Sequence, residues 1–107
     1  MTLLTRLCEV PYFAVIFSSI KAEDDTGYAS MADRMMKLAA QQPGFIGVDS
    51  AREEVGITVS YWKDLASIQQ WKNQVEHREA QRLGKKQWYE SYTIRIAKVE
   101  RQYDFGL

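Results

Sequence analysis

One cysteine, one histidine, two prolines and a formal net charge of zero mark what this 107-residue chain has little of. Cys8 alone cannot close an internal disulfide, and His77 without cysteine partners cannot complete the usual first-row coordination set, so neither a disulfide scaffold nor a metal centre is expected. A lone thiol suits a reducing compartment, which makes the cytoplasm the expected location. Fourteen Lys and Arg balance fourteen Asp and Glu. No net field therefore draws the chain to nucleic acid or to an anionic membrane. No segment approaches the roughly 20 apolar residues that span a bilayer, and Arg6 interrupts an N-terminal apolar run too short for a secretion signal. A Gly-x-Gly-x-x-Gly phosphate loop is also missing, since PGFIG has the wrong spacing and follows a helical stretch instead of a strand. With no linker or low-complexity segment, residues 1–107 read as one domain, with 1–8 as an N-terminal extension and 104–107 as a tail.

What is present is ordered punctuation. Residues 11–20, PYFAVIFSSI, are aromatic and β-branched, with Pro11 at the start, and read as a strand. Tyr28, Met31, Ala32, Met35, Leu38 and Ala39 recur at helical spacing, and Pro43 and Gly44 end that helix. FIGVDSAR and GITVSYW, separated by EEVG, read as a hairpin in which Ile46, Val48 and Ser50 alternate with Phe45, Gly47 and Asp49. Asp64 is the expected N-cap of a second helix whose buried face carries Leu65, Ile68, Trp71 and Val75, with a kink or short helix from near Val75 to Gly84. Ile94 and Ile96 then alternate with Thr93, Arg95 and Ala97 in a last strand. Met31, Met35 and Met36 suit adaptable core filler.

Strand, helix, strand, strand, helix, strand is the order of an α+β, ferredoxin-like domain, an antiparallel sheet with helices on one face. Such a sheet leaves its second face bare, here with aliphatic and aromatic residues on it. The expected cover is a second copy packed face to face, a homodimer closing into a barrel-like sandwich, with the tail DFGL reaching the partner.

The element order, the PGFIG turn, the VSYW strand followed by KDLASIQQW, and the closing WYESYTIRIAKVERQY together resemble the antibiotic biosynthesis monooxygenase domain family. The resemblance covers residues 9–104 and is greatest to bacterial members of unassigned activity. It implies a dimeric α+β barrel, and one of several activities: cofactor-independent oxygenation of aromatic polyketides or quinols, haem degradation, or none assigned. Against the oxygenases, Trp62 falls on a substrate-pocket tryptophan and Arg82 on the basic residue, whereas Thr58 replaces a pocket asparagine and Ile68 a pocket tyrosine. Against the haem degraders, Trp71 matches a pocket tryptophan, but Gln81 stands where the iron ligand would be. His77 lies one helical turn earlier. The strand-one asparagine of those proteins has no counterpart, Asn73 being the only asparagine here.

These residues imply an oxygenase with no cofactor, acting on a small aromatic or quinol substrate. His77 would be the general base, Arg82 the cation that steadies the substrate anion, Trp62 and Trp71 the walls, and Thr58 and Ile68 further lining. Two other readings stay open: a non-catalytic ligand-binding or stress-related dimer using the same cleft, and a haem protein with His77 as a shifted ligand. Residue by residue, His77 and Arg82 also fit a solvated helix face, the tryptophans fit core, and Arg95 fits an ion pair with Asp49 or Glu100 at a dimer interface.

Overall fold

The computed structural model describes residues 9–76 and 88–107. Cys8, His77, Gln81, Arg82 and the expected helical stretch running on to Gly84 lie outside them. The elements are β1 (Tyr12–Lys21), α1 (Tyr28–Ala40), β2 (Phe45–Arg52), β3 (Gly56–Trp62), α2 (Leu65–Glu76) and β4 (Tyr89–Val99). They build one antiparallel sheet in the order β2-β3-β1-β4 with two helices, the ferredoxin-like α+β arrangement expected from the element order.

Local chemistry sets the element ends. Asp24 Oδ1 accepts from the Thr26 amide at 3.1 Å and from Thr26 Oγ1 at 2.7 Å, and Gly27 at φ 84° turns the chain into α1. A left-handed backbone there favours glycine. At the other end Gln42 Nε2 donates to the Leu38 carbonyl at 3.2 Å, and Gly44 at φ 85° starts the turn into β2. A Cβ on Gly44 would overlap the Ser67 side chain, so the turn before β2 lies this close to α2 with glycine at that position. Asp64 does cap α2: its Oδ1 accepts from the Ser67 amide at 2.8 Å and from Ser67 Oγ at 2.7 Å. These two bonds, the side-chain one first, hold the Asp64 carboxyl below its ordinary range, as expected for an anion at a helix start.

Register assigns every strand residue to a face. Trp62, Ser60, Thr58 and Gly56 of β3 pair with Phe13, Val15, Phe17 and Ser19 of β1, and this face meets the helices. Two departures from the expected pattern are informative. The alternation in β2 breaks at a bulge between Phe45 and Gly47, so Phe45 pairs with Trp62 and joins the helix side along with Val48, Ser50 and Arg52. A bulge inserts one residue and reverses the parity of those before it. Leu65, expected on the buried face of α2, is 55% exposed. At about 100° per residue the buried Ser67 and Ile68 and the half-buried Trp71 centre on a direction roughly 110° from Leu65, which falls on the flank.

The second face carries Tyr12, Ala14, Ile16, Ser18 and Ile20 of β1, Ile57, Val59 and Tyr61 of β3, Asp49 of β2, and Arg95 and Ala97 of β4. Ile20 and Ile57 are exposed there, as are Arg95 and Ala97. Tyr61 donates its hydroxyl to Asp49 Oδ2 at 2.8 Å. Burial first and this bond second push the Tyr61 phenol up to about 12. Tyr12 is buried and donates to Gln102 Oε1 at 2.7 Å, which draws the chain after β4 back over the strand. Phe105 in the tail is 100% exposed and gains nothing from packing within the chain. No described helix is long and apolar enough to cross a membrane.

Candidate functional site

The tryptophans singled out by sequence do meet. Trp62 and Trp71 stack at 6.0 Å between ring centroids and 25° between planes, and Phe45 meets Trp62 edge-on at 5.4 Å and 86°. Ala39 and Ile68 complete this cluster, with Phe13, Val15 and Met36 packed against it. The environment is that of a dry core, because Trp62 is 0% and Ile68 6% exposed. Trp62 Nε1 donates to Ser60 Oγ at 2.9 Å, both groups being buried. That bond answers the need of a buried indole N–H for an acceptor. Of the pair, only Trp71 keeps surface to show a ligand.

Thr58 lies two residues back along the same face of β3, and its Oγ1 is bonded to Ser50 Oγ at 2.8 Å. Structure thus brings Trp62, Trp71 and Ile68 into contact and sets Thr58 at their edge. Trp88, also part of the aromatic run read from sequence, sits elsewhere: it is buried, and its Nε1 donates to the Thr26 carbonyl at 2.8 Å, tying the start of β4 to the loop before α1. A shallow groove of about 430 Å³ between the end of α1 and α2 is lined by Gln42, Pro43, Gln70, Asn73 and Gln74. Its lining is amide-rich and has no aromatic ring. Among the described residues no group of three or more His, Cys, Asp or Glu is placed to hold a metal ion.

A second cluster, which sequence reasoning missed, occupies the other end of the helix side. Arg52, the last residue of β2, reaches across Gly56 to Ser19: Nη1 donates to the Ser19 carbonyl at 3.4 Å and Nη2 to Ser19 Oγ. A Cβ on Gly56 would overlap the guanidinium, so glycine makes the path. The guanidinium lies 5.5 Å from the centroid of the Tyr28 ring, and Lys21 Nζ lies 5.0 Å from it. Tyr28 meets Tyr89 at 5.6 Å, Tyr89 meets Phe17 at 5.3 Å, and Phe17 meets Tyr92 at 5.2 Å. Each of these rings is half-buried. Burial, and then the hydrogen bond to Tyr28, push the Tyr89 phenol well above its ordinary value, while Arg52 pulls the other way. The detectable signal was the parity of β2, which sends Arg52 to the face of Ser50, with a glycine directly opposite it.

An antiparallel β2-β3-β1-β4 sheet carrying two helices defines the ferredoxin-like class, and the comparisons narrow it. The model of the antibiotic biosynthesis monooxygenase family matches residues 11–83, and the chain belongs to that family. It is 54% identical over 104 residues to the uncharacterized protein YqjZ of Bacillus subtilis (strain 168), covering 95% of this chain and 91% of that one. Among solved structures it is similar to SnoaB, a cofactor-independent oxygenase from Streptomyces nogalater, with a TM-score of 0.65 and 14% identity over 92% of this chain and 100% of that one. A conserved protein from Methanosarcina mazei Go1 gives a TM-score of 0.66 at 14% identity, over 81% of this chain and 91% of that one. At these identities the structural likeness is one of fold.

Proposed function

We propose that this chain is a single-domain, cytoplasmic, homodimeric monooxygenase that needs no cofactor and oxidises a small aromatic or quinol substrate. The observation that carries the reading is the half-buried Trp71, stacked on the core Trp62 and keeping surface for a flat ligand, in a chain of the antibiotic biosynthesis monooxygenase family, whose fold SnoaB shares. A base, with His77 as candidate, removes the phenolic proton, and Arg82 steadies the resulting anion. The anion passes one electron to dioxygen, the radical pair joins in a C–O bond, and loss of water from the hydroperoxide leaves a carbonyl. One oxygen atom enters the product and the other leaves as water, taking the phenolic and ring hydrogens.

The partly exposed second face supports the dimer. Arg95, Ile16, Val59 and Asp49 form one row across it, so within one chain Arg95 and Asp49 stand roughly 14 Å apart at about 4.8 Å per strand. In a face-to-face pair whose two-fold axis runs along the strands, β4 of one copy faces β2 of the other. Arg95 then meets the partner's Asp49, twice, around an aliphatic centre.

Oxygen uptake with a dihydroxyaromatic substrate, in the presence of a chelator and without added flavin, tests the activity. Uptake proportional to protein is expected, and its complete absence with a panel of mono- and dihydroxyaromatics sinks the oxygenase reading. One observation favours a non-catalytic ligand-binding dimer instead: Thr58 stands where the oxygenases have asparagine, and its hydroxyl is already engaged by Ser50. Saturable binding of the same compounds without oxygen consumption would establish that alternative.

A further inference from the structure

Arg52 is a half-buried cation without a carboxylate partner among the described residues. Lys21, the other cation on the Tyr28 ring, is matched by Asp25 at 3.0 Å, so of these two cations Arg52 is the one without a carboxylate among the described residues. A guanidinium has five N–H donors in a planar fork. Those spent on Ser19 tie down one end of it, and the remaining N–H groups have no protein acceptor among the described residues. Around them stand the half-exposed rings of Phe17, Tyr28, Tyr89 and Tyr92.

The two features ask for the same ligand. A guanidinium fork takes an oxyanion, and carboxylate or phenolate oxygens match its spacing. Aromatic rings offering edges and partial faces take another flat ring in an edge-to-face or offset contact. If Arg52 served only to fasten the end of β2, the bonds to Ser19 would suffice. Gly56 lets the guanidinium lie across it, where it both bonds to Ser19 and stands 5.5 Å from the centroid of the Tyr28 ring.

We infer that Arg52, Ser19, Tyr28, Tyr89, Tyr92 and Phe17 form a binding site for a small aromatic oxyanion, an aryl carboxylate or phenolate, whose charged group sits on the Arg52 guanidinium. The site is separate from the Trp62–Trp71 cluster, and it stands whether or not the chain reacts a ligand with oxygen.

Titration of the full chain with salicylate, followed by calorimetry and by the Arg52 Nε–H resonance in a proton–nitrogen correlation spectrum, tests it. Saturable binding is expected, with the Arg52 resonance shifting along the same isotherm, and benzyl alcohol, which has a ring but no charge, should leave that resonance in place. Arg52→Gln should weaken salicylate on the order of 10-fold or more, the scale of one lost charge-assisted bond. Gly56→Ala, which displaces the guanidinium without removing its charge, should weaken it likewise. The site is refuted if salicylate fails to saturate, if the Arg52 resonance does not follow binding, or if a folded Arg52→Gln variant keeps wild-type affinity. Where Arg52→Gln does not fold, the resonance of the unmutated chain decides.

Discussion

Trp62 can be a core residue or a pocket wall, and its bond to Ser60 separates the two. Trp62→Phe removes the donor of the 2.9 Å bond and leaves Ser60 Oγ, in a residue 8% exposed, without it; an unsatisfied buried polar group costs about 1–3 kcal/mol. Ser60→Ala leaves the indole N–H unanswered at a position that is 0% exposed, at a similar cost. The double variant orphans neither group, so its loss should fall short of the summed single losses by about 1 kcal/mol, a coupling typical of contacting residues. Such a coupling is well resolved in a domain whose whole stability is about 5–15 kcal/mol. Urea unfolding of the four proteins, with the slope checked for constancy, supplies the numbers. Simple additivity would refute the buried bond. Unchanged stability in Trp62→Phe with loss of aromatic binding would refute the core assignment and restore Trp62 as a wall.

Tyr61 gives a pH prediction. Its phenol is raised from 10.0 to about 12 in the folded chain, by burial first and by Asp49 second; an acid whose folded pKa is raised contributes stability present below 10.0 and lost as pH climbs toward 12. Tyr61→Phe should therefore flatten the alkaline limb of a stability-against-pH curve, and an unchanged limb would remove Tyr61 as its cause. For Asp64, whose folded carboxyl lies below its ordinary range, the sign reverses: its contribution is present above the unfolded value and fades as pH falls through the folded one. Asp64→Ala should lose that acid-side dependence in thermal melts, and an identical acid limb in both proteins would contradict the cap. Light scattering over a wide dilution range should give twice the 12.4 kDa chain mass. Arg95→Asp should weaken that dimer and Asp49→Arg in the same chain should restore it, whereas equal masses throughout would break the proposed row pairing. Added haem should give no Soret band that depends on His77, and a band that moves in His77→Ala would reopen the haem reading.

Much of the fold was legible because its boundaries rest on local chemistry. Phe45–Arg52 and Gly56–Trp62 are bounded by Gly44 and by the polar turn between the strands, and α2 starts after a carboxylate that bonds to a residue three positions on. Such signals act within a few residues and survive in the sequence. The β2 bulge did not, because PGFIGVDSAR alternates as well with it as without it; the pairing with Trp62 selects it. Leu65 misled for a related reason. A helical stripe fixes spacing but not which edge of the stripe the sheet covers.

The candidate sites were less legible because they are assembled across distance. Arg52 bonds to a residue 33 positions away over a glycine in a third strand, and no window of sequence holds all three. Once the register is known, a gradient appears on the helix side. Successive rows read Phe45, Trp62 and Phe13; then Val48, Ser60 and Val15; then Ser50, Thr58 and Phe17; then Arg52, Gly56 and Ser19. Across β2, β3 and β1 polarity rises from the indole cluster through paired hydroxyls to Arg52, while β4 sets Lys98 beside Phe13, then Ile96, Ile94 and Tyr92, and does not follow the trend. The proposed small oxyanion is therefore favoured at the Arg52 end, where it finds donors, over the interior around Trp62 and Ile68, where its charge would be desolvated without compensation. At the border between the two regions Ser50 and Thr58 bond to each other at an exposed position, where water can serve the rest of their hydrogen-bonding capacity.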